Sequence, residues 1–186
     1  MSSPPTKAMR LHPVTRMLAA PALLLFALAA PAAADLGRED RAADLPVCEE
    51  VQVPAGSQLA FHAYASGVQI YHWDGTAWAF DGPAAVLFAD PEGQGKVGIH
   101  YSGPTWLSVS GGKVTGALLQ KCPVGPNDIP WLLLAATAEG PGVFQGVNRI
   151  QRVNTEGGNA PVEKGTTVGE VRRVPYTAEY FFYRVP

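Results

Sequence analysis

The most regular feature of the chain is a series of short segments in which apolar and polar side chains alternate. Residues 59–65, 68–73, 147–153 and 176–185 each show this period of two. A period of two is typical of strands with one buried face. The last segment is so aromatic that we expect it to be central or well covered in the sheet, because an exposed edge of this kind would aggregate. The pattern therefore predicts β-strands rather than helices.

Glycine and proline interrupt these segments about every ten residues. We expect turns at Ser66-Gly67 and Asp74-Gly75, each between two consecutive strands. Residues 131–137 are apolar without alternation, so they form either a strand buried on both faces or one turn of helix. Regularly spaced short strands are typical of sandwiches and barrels. We therefore expect an all-β fold, an antiparallel β-sandwich or barrel-like single domain over residues 46–186, with many short strands and little helix.

The first 34 residues have a different pattern. They contain three basic residues and no acidic one, an apolar run from Met17 to Ala30, and a run of small residues at 32–34. Together these are the marks of a secretory signal peptide, and the apolar run is shorter than the roughly 20 residues of a membrane span. We therefore expect a signal peptide at 1–34, a mobile leader at 35–45, and a secreted or periplasmic mature protein without a membrane span.

Charge narrows the choice of partners. The sequence has 14 Lys and Arg against 16 Asp and Glu, and without residues 1–34 the balance becomes 11 against 16, a net charge of −5. An acidic protein is a poor match to nucleic acid or to an anionic membrane surface. The segment GGNAP at 157–161 lacks the lysine and helix of a phosphate-binding loop. We therefore expect no nucleic-acid partner and no cofactor, and leave a small-molecule ligand and the oligomeric state open.

Cys48 and Cys122 are the only cysteines of the sequence. Export would place both in an oxidising compartment, where disulfides persist. A bond between them would close a loop of more than 70 residues and tie the first predicted strand, residues 49–53, to the middle of the chain. We expect this disulfide, with two free thiols or a bond to another chain as the alternatives. No Cys-x-x-Cys pair or Cys/His cluster supports a zinc site.

Three histidines follow the expected signal peptide. His62 and His72 lie on neighbouring strands of the predicted hairpin, either as half-exposed strand residues, which we favour, or as parts of a three-histidine metal site with His100. His100 comes at a strand end just before the bend at Gly103-Pro104, where loops often carry functional groups. Its imidazole is either a base or hydrogen-bond donor toward a ligand, or a group that bonds a loop carbonyl and holds the bend.

No catalytic motif stands out. The sequence has no Gly-x-Ser-x-Gly elbow, and SVSGG at 108–112 is typical of a hairpin turn. Trp78 and Trp106 flank turns, where indoles either pack or stack on sugars and apolar ligands. Arg149 and Arg152 lie on opposite faces of one strand, so one of them faces inward. An inward arginine needs an acidic partner or a bound anion.

Five segments together resemble a known family, the domain of unknown function 3455. They are VPAGSQLAFHAYASGVQIYHW (53–73), GIHYSGPTW (98–106), IPWLLL (129–134), RIQRVNTEGGNAP (149–161) and VPYTAEYFFY (174–183). They cover the expected mature chain almost end to end, in the family's order. The resemblance implies an exported protein, but it implies no particular activity.

The resemblance also sharpens the candidate site. His62 and His72 do not belong to the family pattern, which weakens the three-histidine site, so we expect no metal. The residues that we expect to line a ligand site match the family pattern: Gln69, His100, Trp106, Arg152 and Asn154.

Three functions follow from these features. We favour an exported, non-catalytic module that binds a small ligand or associates with the cell envelope. The first alternative is a hydrolase-type enzyme, with His100 as acid or base and Arg152 stabilising an anionic group. The second alternative is a protein that binds a metal through His100.

Overall fold

The computed structural model describes Ala43, Leu45 and residues 47–186. These residues form eight strands and one turn of 3-10 helix, Glu49–Val51. The strands are β1 (Gln58–Trp73), β2 (Trp78–Phe88), β3 (Lys96–Tyr101), β4 (Thr105–Ser108), β5 (Lys113–Cys122), β6 (Trp131–Glu139), β7 (Arg149–Gly157) and β8 (Val171–Arg184). Within this part of the chain no helix is both long and apolar enough to cross a membrane. The predicted signal peptide and most of the predicted leader lie outside the described residues.

The strands form a closed antiparallel barrel. Each strand pairs with the next one along the chain, and β1 also pairs with β8. Closure removes the unpaired edges that an open sheet would expose. The prediction of a single all-β antiparallel domain is confirmed, and it takes the barrel form rather than the sandwich. β8 lies between β1 and β7, so the covered position predicted for the aromatic last strand is also confirmed.

The interior of the barrel holds the main hydrophobic core. Alternate side chains of β8, Tyr176, Ala178, Tyr180 and Phe182, belong to this core, as their period of two predicted. The other strands contribute at least one buried apolar side chain each: Phe61, Ala63 and Ala65 of β1, Ala85 and Leu87 of β2, Val97 of β3, Trp106 of β4, Val114 of β5, Leu134 of β6 and Ile150 of β7. An eight-stranded barrel is just wide enough to be filled by side chains or to hold one small ligand.

β1 runs through Ser66 and Gly67 without a turn, so the hairpin predicted at these residues is wrong. Gly67 pairs with Ala85 of β2 on one side and with Tyr176 of β8 on the other. A Cβ atom at Gly67 would lie 2.3 Å from the carbonyl oxygen of Ala84 and 2.5 Å from the Cα of Ala85. Glycine is required here because the backbone of the neighbouring strand β2 lies too close to Gly67 for any side chain. Gly67 therefore marks a tight contact between β1 and β2 and not a turn.

A second hydrophobic cluster covers the outside of the barrel at β5 to β8. It contains Trp131 and Leu133 of β6, whereas Leu134 belongs to the interior core. The first four residues of β6, 131–134, are therefore covered on both faces, which explains why this part of its sequence lacks alternation. Ala43 and Leu45, which fall within the predicted leader, pack against this outer cluster.

The chain before β1 is fastened to this outer cluster. Cys48 is bonded to Cys122 at the end of β5, so the expected disulfide is present. The Gln151 side-chain amide donates a 2.6 Å hydrogen bond to the carbonyl of Val51. The strand predicted at 49–53 is wrong: a 3-10 turn forms instead. A closed barrel leaves no free edge on which this segment could pair as a strand.

The tight contact at Gly67 predicts a large cost for the smallest substitution. Gly67→Ala places a methyl group against the backbone of β2, and overpacking of this kind costs about 1–3 kcal/mol or more. We expect urea unfolding to show a loss of at least about 2 kcal/mol. Ser66→Ala, at an exposed neighbouring position of β1, is the control and should change stability by less than about 0.5 kcal/mol. Equal effects of the two substitutions would contradict the continuous strand.

The disulfide should stabilise the protein strongly, because it links residues 74 positions apart. The loop-entropy relation gives about 4 kcal/mol for a loop of this length. We expect the double variant Cys48→Ala/Cys122→Ala to lose stability on that scale in urea titrations. Addition of a thiol reductant should destabilise the wild type similarly and leave the double variant unchanged. If the reductant leaves the stability of the wild type unchanged, and the wild type is no more stable than the double variant, the disulfide does not stabilise the protein.

Candidate functional site

A cavity of about 110 Å³ lies in the barrel, bordered by side chains from seven strands and one turn. Phe80 and Pro104 are exposed at its rim. The other lining residues are Gln69 of β1, Pro83 of β2, His100 of β3, Trp106 of β4, Leu132 and Leu134 of β6, Arg152 of β7 and Tyr180 of β8. The structure thus brings together four of the five predicted site residues, which are far apart in the sequence: Gln69, His100, Trp106 and Arg152.

A hydrogen bond and a stacking contact fix the orientation of the His100 ring. Its Nδ1 atom lies 2.9 Å from the backbone carbonyl oxygen of Thr105. Because a carbonyl can only accept, Nδ1 carries the proton and Nε2 keeps a free lone pair. The ring stacks on the indole of Trp106 with centroids 4.2 Å apart. His100 therefore holds the bend, as one of its two interpretations predicted, and it also lines the cavity.

Burial lowers the pKa of His100 to about 3, with the nearby positive charge of Arg152 acting in the same direction. The hydrogen bond to Thr105 opposes this shift but does not outweigh it. His100 is therefore neutral over the physiological range. At neutral pH it offers a lone pair that accepts a hydrogen bond, but it is a weak base.

Two polar groups of the cavity wall are buried without a hydrogen bond to the protein, the side-chain nitrogen of Gln69 and the indole nitrogen of Trp106. Each of these residues is about 1% exposed. The hydroxyl of Tyr180 is equally buried, but it has hydrogen-bond interactions with Tyr176 and Arg152. A buried polar group without a partner costs about 1–3 kcal/mol. The two unpartnered groups thus lower the stability of the barrel unless water or another guest in the cavity bonds to them.

Two glycines make room for these groups. A Cβ atom at Gly116 would lie 3.1 Å from the Trp106 ring, so glycine lets the indole reach across to β5. A Cβ atom at Gly158 would lie 3.1 Å from the Gln69 side chain and 2.9 Å from Tyr176. The carbonyl oxygen of Gly158 also accepts a 2.8 Å hydrogen bond from the Tyr71 hydroxyl, which holds the residue after β7 against β1.

Among the described residues, Arg152 is the only charged one in the cavity wall. Its Nε and Nη2 atoms donate to the carbonyl oxygen of Pro130 at 3.2 and 2.8 Å. Over the described ranges, no carboxylate forms an ion pair with it. Burial raises the pKa of the Tyr180 hydroxyl, and the positive charge of Arg152 and hydrogen bonds with Tyr176 and Arg152 oppose this shift without outweighing it. Of the two partners predicted for an inward arginine, the acidic side chain is thus not found in the described part of the chain.

Tyr180 was not among the predicted site residues, although it lines the cavity. Its ring contacts His100 and Trp106 edge-on, with centroid distances of 5.2 and 5.3 Å. The alternation of β8 places Tyr180 on the inner face, and a tyrosine there carries a hydroxyl into the core. That combination was a usable signal, because a buried tyrosine hydroxyl normally needs a partner.

Asn154 does not join this site. It lies where the pairing of β7 with β8 is irregular, with a φ of 49°, and its side-chain nitrogen donates to Glu179 at 2.9 Å. It lines a separate surface groove of about 560 Å³ together with Asp90 and Glu92. The irregular pairing turns Asn154 away from the interior that Arg152 faces, which a strict period of two does not anticipate.

The histidines of β1 also lie elsewhere. His62 is buried, not half-exposed as expected, since it stacks on Phe181 and its Nε2 lies 2.9 Å from Glu179. His72 is about 40% exposed, and its Nδ1 lies 2.6 Å from Asp81. Ten positions along one strand separate them, so the hairpin that would have paired them does not exist. Among the residues that can be described, no three His, Cys, Asp or Glu side chains form a group that could hold a metal.

The match to a known family covers the whole barrel. The family model described as protein of unknown function (DUF3455) matches residues 54–184. The chain belongs to the DUF3455 family. This DUF3455 domain spans β1 to β8 and so contains every residue of the cavity wall, whereas Cys48 precedes it. Neither the curated proteins nor the solved structures give a significant match.

Burial of His100 gives the DUF3455 protein a testable pH dependence. In the unfolded chain the imidazole binds a proton near pH 6.5, whereas in the barrel it stays neutral down to about pH 3. Acidification therefore favours the unfolded chain. Between pH 7 and 4.5 this residue alone should lower the free energy of unfolding by about 2.5 kcal/mol.

Urea titrations at the two pH values measure this loss. His100→Asn is the comparison, because an amide nitrogen can still donate to Thr105 but does not titrate. Between pH 7 and 4.5 the variant should lose about 2.5 kcal/mol less unfolding free energy than the wild type. The other histidines are present in both proteins and contribute equally to the loss in each. Equal losses in wild type and variant would contradict a buried, neutral His100.

Proposed function

We propose that this DUF3455 protein is a non-catalytic binding module that holds one small molecule in the cavity of its barrel. The observation that carries the proposal is that two buried, unpartnered polar groups belong to residues that line the cavity, Gln69 and Trp106. A packed core would replace such groups with apolar side chains, because each one costs stability. Binding explains them, because a ligand supplies the missing partners.

The composition of the cavity wall favours binding over catalysis. No Ser, Thr, Cys, Asp or Glu lines this cavity within the described residues. A hydrolase needs an activated nucleophile or water, and a general base works best with a pKa near the operating pH. The pKa of His100, lowered to about 3 by burial, is far from that range. No contact of the site favours the hydrolase or the metal-binding alternative.

The disulfide supports an extracytoplasmic location for this module, secreted or periplasmic. Disulfides persist in oxidising compartments and are rare where thiols are kept reduced. Cys48–Cys122 fastens the segment before β1 to the barrel wall, and such a bond would be lost in a reducing compartment. Association with the cell envelope, part of the favoured sequence hypothesis, gains no support from the contacts described above, so the proposal is restricted to binding.

The indole N–H of Trp106 is a direct reporter of cavity occupancy in ¹H–¹⁵N NMR spectra. Suitable probes are propionate, propionamide and 1-propanol, which are similar in size and differ in charge and hydrogen-bonding groups. We expect at least one of them to shift the Trp106 indole signal saturably. Assignment follows from the signal lost in Trp106→Phe.

A cavity-filling variant separates binding in the barrel from binding on its surface. Leu132→Phe adds volume to the cavity wall and should abolish the saturable shift. Leu107→Phe, at an exposed position of β4, is the matched control and should leave the shift unchanged. If no probe moves the Trp106 signal, or if Leu132→Phe leaves the shift intact, the proposed binding function is wrong.

A further inference from the structure

The charge balance of the cavity points to an anionic guest. The Arg152 guanidinium carries a positive charge, it is half-buried in the cavity wall, and no carboxylate in the described part of the chain pairs with it. His100, the other titratable nitrogen of the wall, adds no charge, because burial keeps it neutral. A charge shielded from water is costly unless it is paired. One negative charge in the cavity would balance Arg152.

The hydrogen-bonding groups point to an oxyanion. Besides the guanidinium of Arg152 and the hydroxyl of Tyr180, the wall presents donors on Gln69 and Trp106 that have no protein acceptor. An ionised carboxylate accepts through two oxygens with about four lone-pair sites and donates nothing. Such a group can take up these donors together, and hydrogen bonds to an ionised acceptor are about twice as strong as neutral ones. A cationic guest would instead face Arg152 and leave the donors unmet.

The other lining residues and the volume of the cavity limit the polarity and the size of the rest of the ligand. Leu132, Leu134, Pro83 and Phe80 form an apolar side of the cavity, which suits an alkyl group. The volume of about 110 Å³ is below the roughly 150 Å³ of a cavity that takes up benzene. We infer that the cavity binds a short-chain monocarboxylate of about two to four carbons, with its carboxylate on Arg152; this inference rests on the binding function proposed above.

The comparison of acid with amide on the wild-type protein tests the inference directly. Propionate and propionamide have nearly the same shape, but only propionate carries the charge. Titrations followed by the Trp106 indole signal, at constant ionic strength, should give at least tenfold tighter binding of propionate, as expected for a charge-assisted hydrogen bond. Inorganic phosphate is the third probe, because it is anionic but lacks an alkyl part, and it should bind more weakly than propionate.

Two arginine variants assign the effect to one side chain. Arg152→Met removes the charge from the cavity and should weaken propionate binding at least tenfold while changing propionamide binding little. Arg149→Met, on the same strand but outside the cavity wall, is the control and should bind propionate as the wild type does. The acid and amide comparison needs no variant, so the test stands even if Arg152→Met fails to fold.

Each outcome has a definite meaning. Equal affinities for propionate and propionamide would overturn the carboxylate inference and leave the binding function in place. Tighter binding of phosphate than of propionate would replace it with an inorganic anion. An Arg152→Met protein that folds and binds propionate normally would also overturn it. Absence of any Trp106 shift with all probes would remove the binding function and the inference together.

Discussion

The pairing of β1 with β8 is the constraint on which the rest of the structure depends. These two long strands run antiparallel from Gln58 opposite Arg184 to His72 opposite Val171, and their pairing closes the barrel. Closure places every second side chain of β8 inside and removes the edge on which the segment before β1 could have formed another strand. That segment packs on the outer wall instead, fastened by Cys48–Cys122.

Closure also determines where polar groups meet. Residues that are more than 100 positions apart in the sequence, such as Gln69 and Tyr180, face one interior because the strands that carry them are neighbours in the ring. The same interior excludes water from His100, so its ring stays neutral and stacks on Trp106. In the proposed binding function, the groups that would bind a ligand are the same groups that cost stability, a trade-off that is common at functional sites.

The sequence predicts the parts of this arrangement that depend on local chemistry. The period of two identifies the inner face of β8, and the bend after His100 explains why its ring binds the Thr105 carbonyl. The failures involve contacts between distant residues. Gly67 is typical of a turn in the sequence, but in the fold it is required by the close approach of β2. The position of Asn154 depends on an irregularity in the pairing of β7 with β8, which no local sequence pattern reveals.

The central claim is that the cavity keeps its polar groups for a ligand and not for the fold. Tyr180→Phe tests this most directly, because it removes one buried hydroxyl of the cavity wall and preserves the shape of the ring. If the hydroxyl serves a ligand, the unliganded variant should be as stable in urea as the wild type, or more stable by about 1 kcal/mol. A loss of more than about 1 kcal/mol would show that the hydroxyl is bonded within the fold, and would contradict the account.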